Sequence, residues 1–407
     1  MAKKSSNQQQ DIQITSDTLN QIKQKKLATI KNIFKDIDKK TGDTNSVFLL
    51  KDRQIGDIQS FSSGSMMLDI ALGCNGIPLG RLIEISGLEA SGKSLTMLKA
   101  VAEAQKAGYI CAWLDCEQTY SPDFAAKFGV CNEELLLAQP DNLENTFIII
   151  EELVQTGMVN FIVLDSISSV GTKAEIEAEI GKNNIGLVAR ATSSFLRRIN
   201  PQLARNNCTL AIISQLRANI GVLYGNPYTT TSGNSVRFYA SIRMEASKLS
   251  GSQIKEKING EEIQVGHRIK IRITKNKVGP PFKTANFLIY YDGRQTDIVD
   301  ELTDIIVQNE LIPKVGADGN PNPKGLTYKF ELDDEKISTR RAGLADALRK
   351  CPKIQQYFID MIKSGNYTVS TQMDKENNNI EDETDNIEKE ITNSENNFNE
   401  AEEIESF

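Results

Sequence analysis

The residues Gly87-Leu88-Glu89-Ala90-Ser91-Gly92-Lys93-Ser94 place a lysine and a hydroxyl after a glycine-rich turn at the spacing of a phosphate-binding loop. Glycines let backbone N–H groups turn onto phosphate oxygens, Lys93 reaches the β and γ oxygens, and Ser94 offers its hydroxyl to Mg²⁺. The implied chemistry is the binding of a nucleoside triphosphate. Two carboxylates extend it. Phe161-Ile162-Val163-Leu164-Asp165 is an apolar run ending in an acid, the pattern that holds Mg²⁺ through its water shell. Leu114-Asp115-Cys116-Glu117 ends a second such run, and a carboxylate there can face a γ-phosphate and polarise an attacking water.

These residues need strands that end together and helices that start beside them. Arg81–Ser86 reads as a buried strand entering the loop, and Leu95–Gln105 as the helix leaving it. Tyr109–Asp115, Phe161–Asp165 and Thr209–Ser214 read as further strands, with helices over Asn142–Gln155 and Gly186–Leu203. The alternation predicts an α/β fold, a mostly parallel sheet flanked by helices. Beyond it, Ser235–Glu245 and Val265–Lys275 read as a hairpin pair across a polar connection. Upstream, apolar residues at helical spacing from Leu19 to Ile37 predict a helix over Ser16–Lys40, followed by a short strand-like run, Ser46–Leu50. That helix and strand have few local partners, which fits either a plain domain appendage or, more sharply, an element that docks on another subunit.

The composition excludes several classes. Six cysteines lie scattered without CxxC spacing, so neither a disulfide framework nor a zinc site is expected, and the setting is read as reducing and cytoplasmic. No run is apolar enough for a membrane span, and the N-terminus lacks a signal-peptide core. The single histidine, His267, lies in a charged strand-like run and reads as a partly exposed strand residue. Net charge is unevenly placed: Thr371–Phe407 holds 13 acids against two lysines, so the tail carries -11 and the remaining chain about +4. Such a tail buries too little apolar surface to fold alone and is expected to be disordered.

Ser63-Gly64-Ser65, Leu68–Gly73, Gly76–Arg81, the phosphate loop, Asp115-Cys116-Glu117 and Asp165-Ser166 resemble the bacterial and phage RecA recombinase family in order and spacing. Lys173–Gly181 resembles that family's first DNA-binding loop, and Gln215–Asn234 its second. The resemblance implies a RecA-type ATPase core with an N-terminal oligomerisation helix and strand (1–52), the core itself (53–295), a small α+β C-terminal domain (296–368) and the acidic tail (369–407). It implies Glu117 as catalytic base, with Lys93 and Gln215 as its catalytic partners, Gln215 sensing the γ-phosphate and signalling to DNA. Residues Gly87 to Ser94, Phe124 and Asp165 would bind ATP, with Ser94 and Asp165 on Mg²⁺ and the Phe124 ring on adenine. Lys275 and Lys277 would cross to a neighbouring subunit's triphosphate.

Holding a strand of any sequence rests on phosphate contacts rather than base edges. By position in the resembled pattern, Ile185, Arg190, Arg197, Arg217, Ile220, Gly233 and Asn234 are assigned to DNA, the two isoleucines as wedges between bases. Arg237 and Arg243 are read as phosphate or subunit contacts. Departures from the family pattern are Phe124 for a tyrosine, Leu88 for a proline, Gln118 for a histidine and Ser232 for a glycine. The implied function is an ATPase dependent on DNA, forming helical filaments on single strands and exchanging them with duplex DNA, with a self-cleaving repressor as a candidate partner in a damage response. Two rivals share parts of the pattern. A hexameric helicase would lack the Gln215–Asn234 block, and a non-enzymatic ATP-gated protein would lack the acid at Glu117.

Overall fold

The computed structural model describes residues 16–42, 47–49, 58–178, 186–218, 228–230, 234–258, 260–294, 297–316 and 318–364. It comprises two compact units, one up to Asp57 and one from Ile58 onward. The first holds α1 (Ser16–Thr41), a helix whose apolar residues Leu19, Ile22, Ile30 and Ile33 are exposed. Its last turn carries Lys39 and Lys40, favourable against the helix dipole, and Gly42 leaves it at φ 73°. Of the run Ser46–Leu50, where a strand is expected, only Val47–Leu49 are described, and those three residues are irregular.

The second unit runs in chain order through β1 (Ser60–Phe61), α2 (Met66–Leu72), β2 (Ile77–Pro78), β3 (Leu82–Gly87), α3 (Lys93–Lys106), β4 (Cys111–Asp115), α4 (Pro122–Lys127) and β5 (Leu135–Ala138). There follow α5 (Leu143–Gln155), β6 (Phe161–Asp165), α6 (Lys173–Ile176), α7 (Leu187–Arg205), β7 (Thr209–Ala218), β8 (Tyr228–Thr230) and α8 (Asn234–Tyr239). Long strands β9 (Ile242–Ile258) and β10 (Glu261–Asn276) then pair, and β11 (Thr284–Tyr290) closes the main sheet. The C-terminal part has α9 (Ile298–Gln308), a three-stranded sheet of β12 (Lys314–Val315), β13 (Thr327–Leu332) and β14 (Glu335–Arg340), then α10 (Leu344–Arg349) and α11 (Pro352–Lys363).

The main sheet has the order β11-β10-β9-β3-β7-β6-β4-β5, with β8 on β7. From β9 to β5 its strands are parallel, and β10 and β11 add antiparallel neighbours. Buried on both faces, the central strands read as continuous apolar runs, and their alternate side chains supply two separate cores. Ile83, Ile85, Phe161 and Val163 join α3 and the C-terminal helices on one face. Leu82, Ile162 and Leu164 join α5 and α7 on the other, where the Phe147 and Phe195 rings stack at 4.0 Å. Asn142 caps α5 as its side chain accepts from Asn145 N–H, which fixes the start of that helix where the sequence places it.

The region after β7 differs from its sequence reading. Ser235–Glu245 is not one strand: its first part is α8, because Val236 and Ala240, four residues apart, both bury against α7 and the second core. The polar connection is no loop either. Strands β9 and β10 pair as far as Ile258 and Glu261, and most side chains on this outer ribbon are exposed. A ribbon satisfied by cross-strand hydrogen bonds and wet on both faces needs no apolar alternation, so none was available to read. His267 is a second correction, since it is only 4% exposed.

Candidate nucleotide and DNA site

Register alone brings the chemistry together. Gly87 on β3 pairs with Gln215 on β7, and Asp115 on β4 pairs with Asp165 on β6. The strands β3, β7, β6 and β4 are neighbours and parallel, so the phosphate loop, Gln215, Asp165 and the turn carrying Glu117 lie along one carboxyl edge. Glycine at 87 is a packing necessity, because a Cβ there would fall 2.4 Å from the Ala246 carbonyl oxygen. Gly92 at φ 87° turns the chain into α3, whose N-terminus has no side-chain cap. Those free N–H groups and the helix dipole suit an anion.

Lys93 is buried, and its ammonium donates to the Leu88 carbonyl oxygen at 2.8 Å, folding back over the loop. Burial pushes its pKa below the usual lysine range, while Asp165, Glu117 and Glu89 oppose that shift. Ser91 Oγ is buried and has no hydrogen-bond partner among the described residues. Asp165 accepts from the Ser94 hydroxyl, yet burial, reinforced by Glu117 and Asp115, raises its pKa to about 6. A cavity of about 290 Å³ lies against Ala90–Leu95. An uncapped helix start, an unpaired serine hydroxyl and a hydroxyl–carboxylate pair fit a triphosphate with its Mg²⁺.

Glu117 is held by several donors. Its Oε1 accepts from Ser166 Oγ at 2.8 Å, Ser169 Oγ at 3.0 Å and Gln215 Nε2 at 3.0 Å. The turn that carries it is pinned in turn by Asp115, which accepts from Thr119 N–H, Tyr120 N–H and Gln139 Nε2. Sequence reading missed Ser166, Ser169 and Gln139 as positioning groups, because they act only through contacts remote in the chain. Phe124, on α4, is half-buried and packs edge-on to Phe128 at 5.0 Å.

The lysine pair lies elsewhere. Ile83 near the start of β3 pairs with Ile242, which pairs with Asn276, so Lys275 and Lys277 flank the opposite end of the sheet. From Ile83 to Gly87 the strand rises about 13 Å, beyond what a lysine reaches toward its own phosphate loop. Lys275 Nζ donates to the Arg237 and Phe238 carbonyl oxygens at 2.9 and 2.8 Å, capping the C-terminus of α8. Burial, Lys277 and Arg243 lower its pKa.

Of the residues assigned to DNA, Arg190 and Arg197 project from α7 and are exposed, Arg197 Nε meeting the Tyr239 hydroxyl at 3.5 Å. Arg217 ends β7 beside Ala218, and Asn234 begins α8. Ile185, Ile220, Gly233 and Ser232 lie outside the described residues, as does the acidic tail. Arg243 Nε pairs with the fully buried Glu84 at 2.5 Å, a tie inside the sheet that its reading as a phosphate or subunit contact did not include. Arg237 keeps an exposed side chain. Among the described residues no helix is long and apolar enough to cross a membrane.

A parallel sheet with a phosphate loop, two edge acids and a glutamine on the adjacent strand defines a protein of the phosphate-loop nucleotide-binding class. The family profile of the RecA N-terminal domain matches residues 28–295. The protein RecA of Acinetobacter baumannii strain ATCC 17978 is 44% identical over 281 residues, covering 69% of this chain and 78% of that protein. Those of Acinetobacter baylyi and Psychrobacter arcticus are 41% and 38% identical, covering 74% and 83% of this chain and 86% and 91% of their own. A solved RadB recombinase aligns at 21% identity with a TM-score of 0.44, covering 57% of this chain and 97% of its own, a likeness too distant to carry weight. The chain belongs to the RecA family, and its function is strand exchange in DNA recombination and repair.

Proposed function

We propose that this chain hydrolyses ATP in a site completed by a neighbouring copy in a filament on single-stranded DNA, and that Glu117 is the catalytic base. The observation that carries the reading is the Gln215–Glu117 hydrogen bond, because β7 runs from Gln215 directly into the block that resembles the second DNA loop. A change at the DNA end of β7 therefore has a short path to the carboxylate.

Gly87, Leu88, Glu89, Ala90, Ser91, Gly92 and Lys93 would hold the triphosphate by backbone N–H groups and the lysine ammonium. Ser94 and Asp165 would hold Mg²⁺, which when bound neutralises charge on the phosphates. Glu117 orients a water and takes its proton, with Ser166, Ser169 and Gln215 fixing the carboxylate. Phe124 offers an aromatic face to adenine. Lys275 and Lys277, too far from their own loop, would bring positive charge to the neighbour's γ-phosphate. Leu19, Ile22, Ile30 and Ile33 give α1 an exposed apolar stripe suited to a second copy.

Arg190, Arg197 and Arg217 would meet DNA phosphates, Gly233 and Asn234 would approach the backbone, and Ile185 and Ile220 would separate bases. ATP turnover measured with and without single-stranded DNA tests the reading, alongside electron microscopy with ATP and Mg²⁺. Strong stimulation together with helical filaments supports it. Equal turnover with and without DNA, or rings in place of filaments, contradicts it.

A further inference from the structure

A cavity of about 580 Å³, within the size range of small-molecule sites, opens between α2, α3, β11, α9 and the end of α11, and none of its lining residues belongs to the phosphate loop. Met66, Ile70, Phe128, Leu288 and Ile298 give it an apolar wall. One donor inside it is idle. Lys99, on the helix that leaves the phosphate loop, makes no hydrogen bond or ion pair among the described residues, and its ammonium lies 5.8 Å from the centre of the Phe287 ring. The three acids around it are engaged by other groups: Asp69 by the Ser62 and Ser63 hydroxyls, Glu103 by Lys106, and Glu301 by Ser65 Oγ and the Met66 N–H. A largely buried ammonium without a partner calls for an oxygen acceptor from outside its own surroundings.

Where the chain leads next identifies a source for that acceptor. Lys363 ends α11 at the cavity rim, its carbonyl oxygen accepting from Asn75 Nδ2 at 3.2 Å, and Ser364 is the last residue described. The sequence continues Gly365-Asn366-Tyr367-Thr368-Val369. Tyr367 is the only aromatic residue between Ser364 and Phe398, and it follows Ser364 by three residues, a reach of about 10 Å before its own side chain is counted. Its ring suits the apolar wall, and its hydroxyl is an acceptor for Lys99. Attachment at the rim holds the ring at an effective concentration in the millimolar range, so even a modest contact is populated.

We propose that residues 365–369 fold back over the end of α11 and seat the Tyr367 ring in this cavity, its hydroxyl accepting from Lys99. The seat closes the seam between α2 and α9 and fixes the root of the acidic tail beside α3. It stands independently of what the phosphate loop binds.

The test exploits the chain's one tryptophan, Trp113, which is buried. Tyr367→Trp in the full-length protein adds a single emitter, read as the difference from the unaltered protein. Seated, it should emit in the blue, and a seat filled about nine-tenths of the time lowers collisional quenching by acrylamide about tenfold against a free peptide of residues 362–372 carrying the same change. In that background Ile70→Arg, which pushes a charged side chain into the cavity from a partly buried position, should move the emission to the red and restore quenching. Ile70→Arg alone, read through Trp113, reports whether the core stays intact. Lys99→Met keeps an apolar wall, removes only the donor and should raise quenching about threefold. Red, freely quenched emission from Tyr367→Trp overturns the proposal. Blue emission that survives Ile70→Arg overturns it as well, because the ring then sits elsewhere. So does blue emission that appears only as protein concentration rises, because a second copy's segment then fills the cavity.

Discussion

The two ends of the main sheet differ in charge and in how their charges are held. At the carboxyl edge Asp115, Glu117 and Asp165 surround a single lysine, Lys93, and the acids are fixed by hydrogen bonds from serine, glutamine and backbone N–H groups. At the opposite end Lys275, Lys277 and Arg243 crowd together, and Lys275 is tied only to the last carbonyls of a short helix. One end is rich in negative charge that a metal and a cation would relieve, and the other has cations to offer. In the proposed filament each is half of a site, and stacked copies of the chain would join the halves.

The carboxyl edge is broken most severely at its base. Glu117→Ala should lower DNA-stimulated ATP turnover by about 10³-fold while nucleotide and DNA binding persist, measured by turnover assay and by titration with a fluorescent analogue. Lys93→Ala should instead lose nucleotide binding itself.

The opposite end is sharpened by separating its arginine from its lysines. Arg243→Ala leaves Glu84 buried without its partner and should destabilise the fold by about 3–5 kcal/mol in a denaturant titration. Arg197→Ala, at an exposed position, should move stability by no more than about 0.5 kcal/mol while weakening binding to single-stranded DNA. Equal stability losses would mean that the Glu84 pair is not the structural tie assigned here.

A pH titration distinguishes the edges further. Asp165 is raised to about 6 before metal binds, and Mg²⁺ requires the carboxylate. Affinity for Mg²⁺-nucleotide should therefore be steady above pH 6 and fall by up to about tenfold per unit as pH drops below it. Asp165→Asn should bind more weakly and lose that slope. The smallest effect concerns the support of the base: Ser166→Ala removes one of three hydrogen bonds to Glu117 and should cost about fivefold in turnover, with substrate affinity unchanged.

How far these features could be read from residues depended on the distance over which they act. The phosphate loop, Asp165 and the β3–α3 turn were legible because glycine positions, an apolar run and a terminal acid are local signals. Helix α8 was not, since only burial of Val236 and Ala240 overrides the alternation around them. The outer half of the β9–β10 ribbon was illegible because its pairing is met by cross-strand bonds without an apolar face. His267 read as a partly exposed strand residue, and only the placement of β10 between β9 and β11 buries it. Resemblance supplied the roles of Gln215 and the lysine pair, and geometry supplied a reason for each: a hydrogen bond to Glu117 in one case, and an unreachable loop in the other.

Mixing two inactive proteins tests most directly whether the halves meet between copies. Lys275→Ala/Lys277→Ala chains keep the carboxyl edge intact, and Glu117→Ala chains keep the lysine end intact. Each alone should be nearly inactive on single-stranded DNA, but mixed filaments should contain interfaces that join a normal Glu117 to normal lysines. The account predicts that the mixture regains DNA-stimulated ATP hydrolysis, in proportion to the frequency of such interfaces. Mixed filaments that form, as seen by energy transfer between differently labelled chains, yet hydrolyse no more ATP than their components would contradict it.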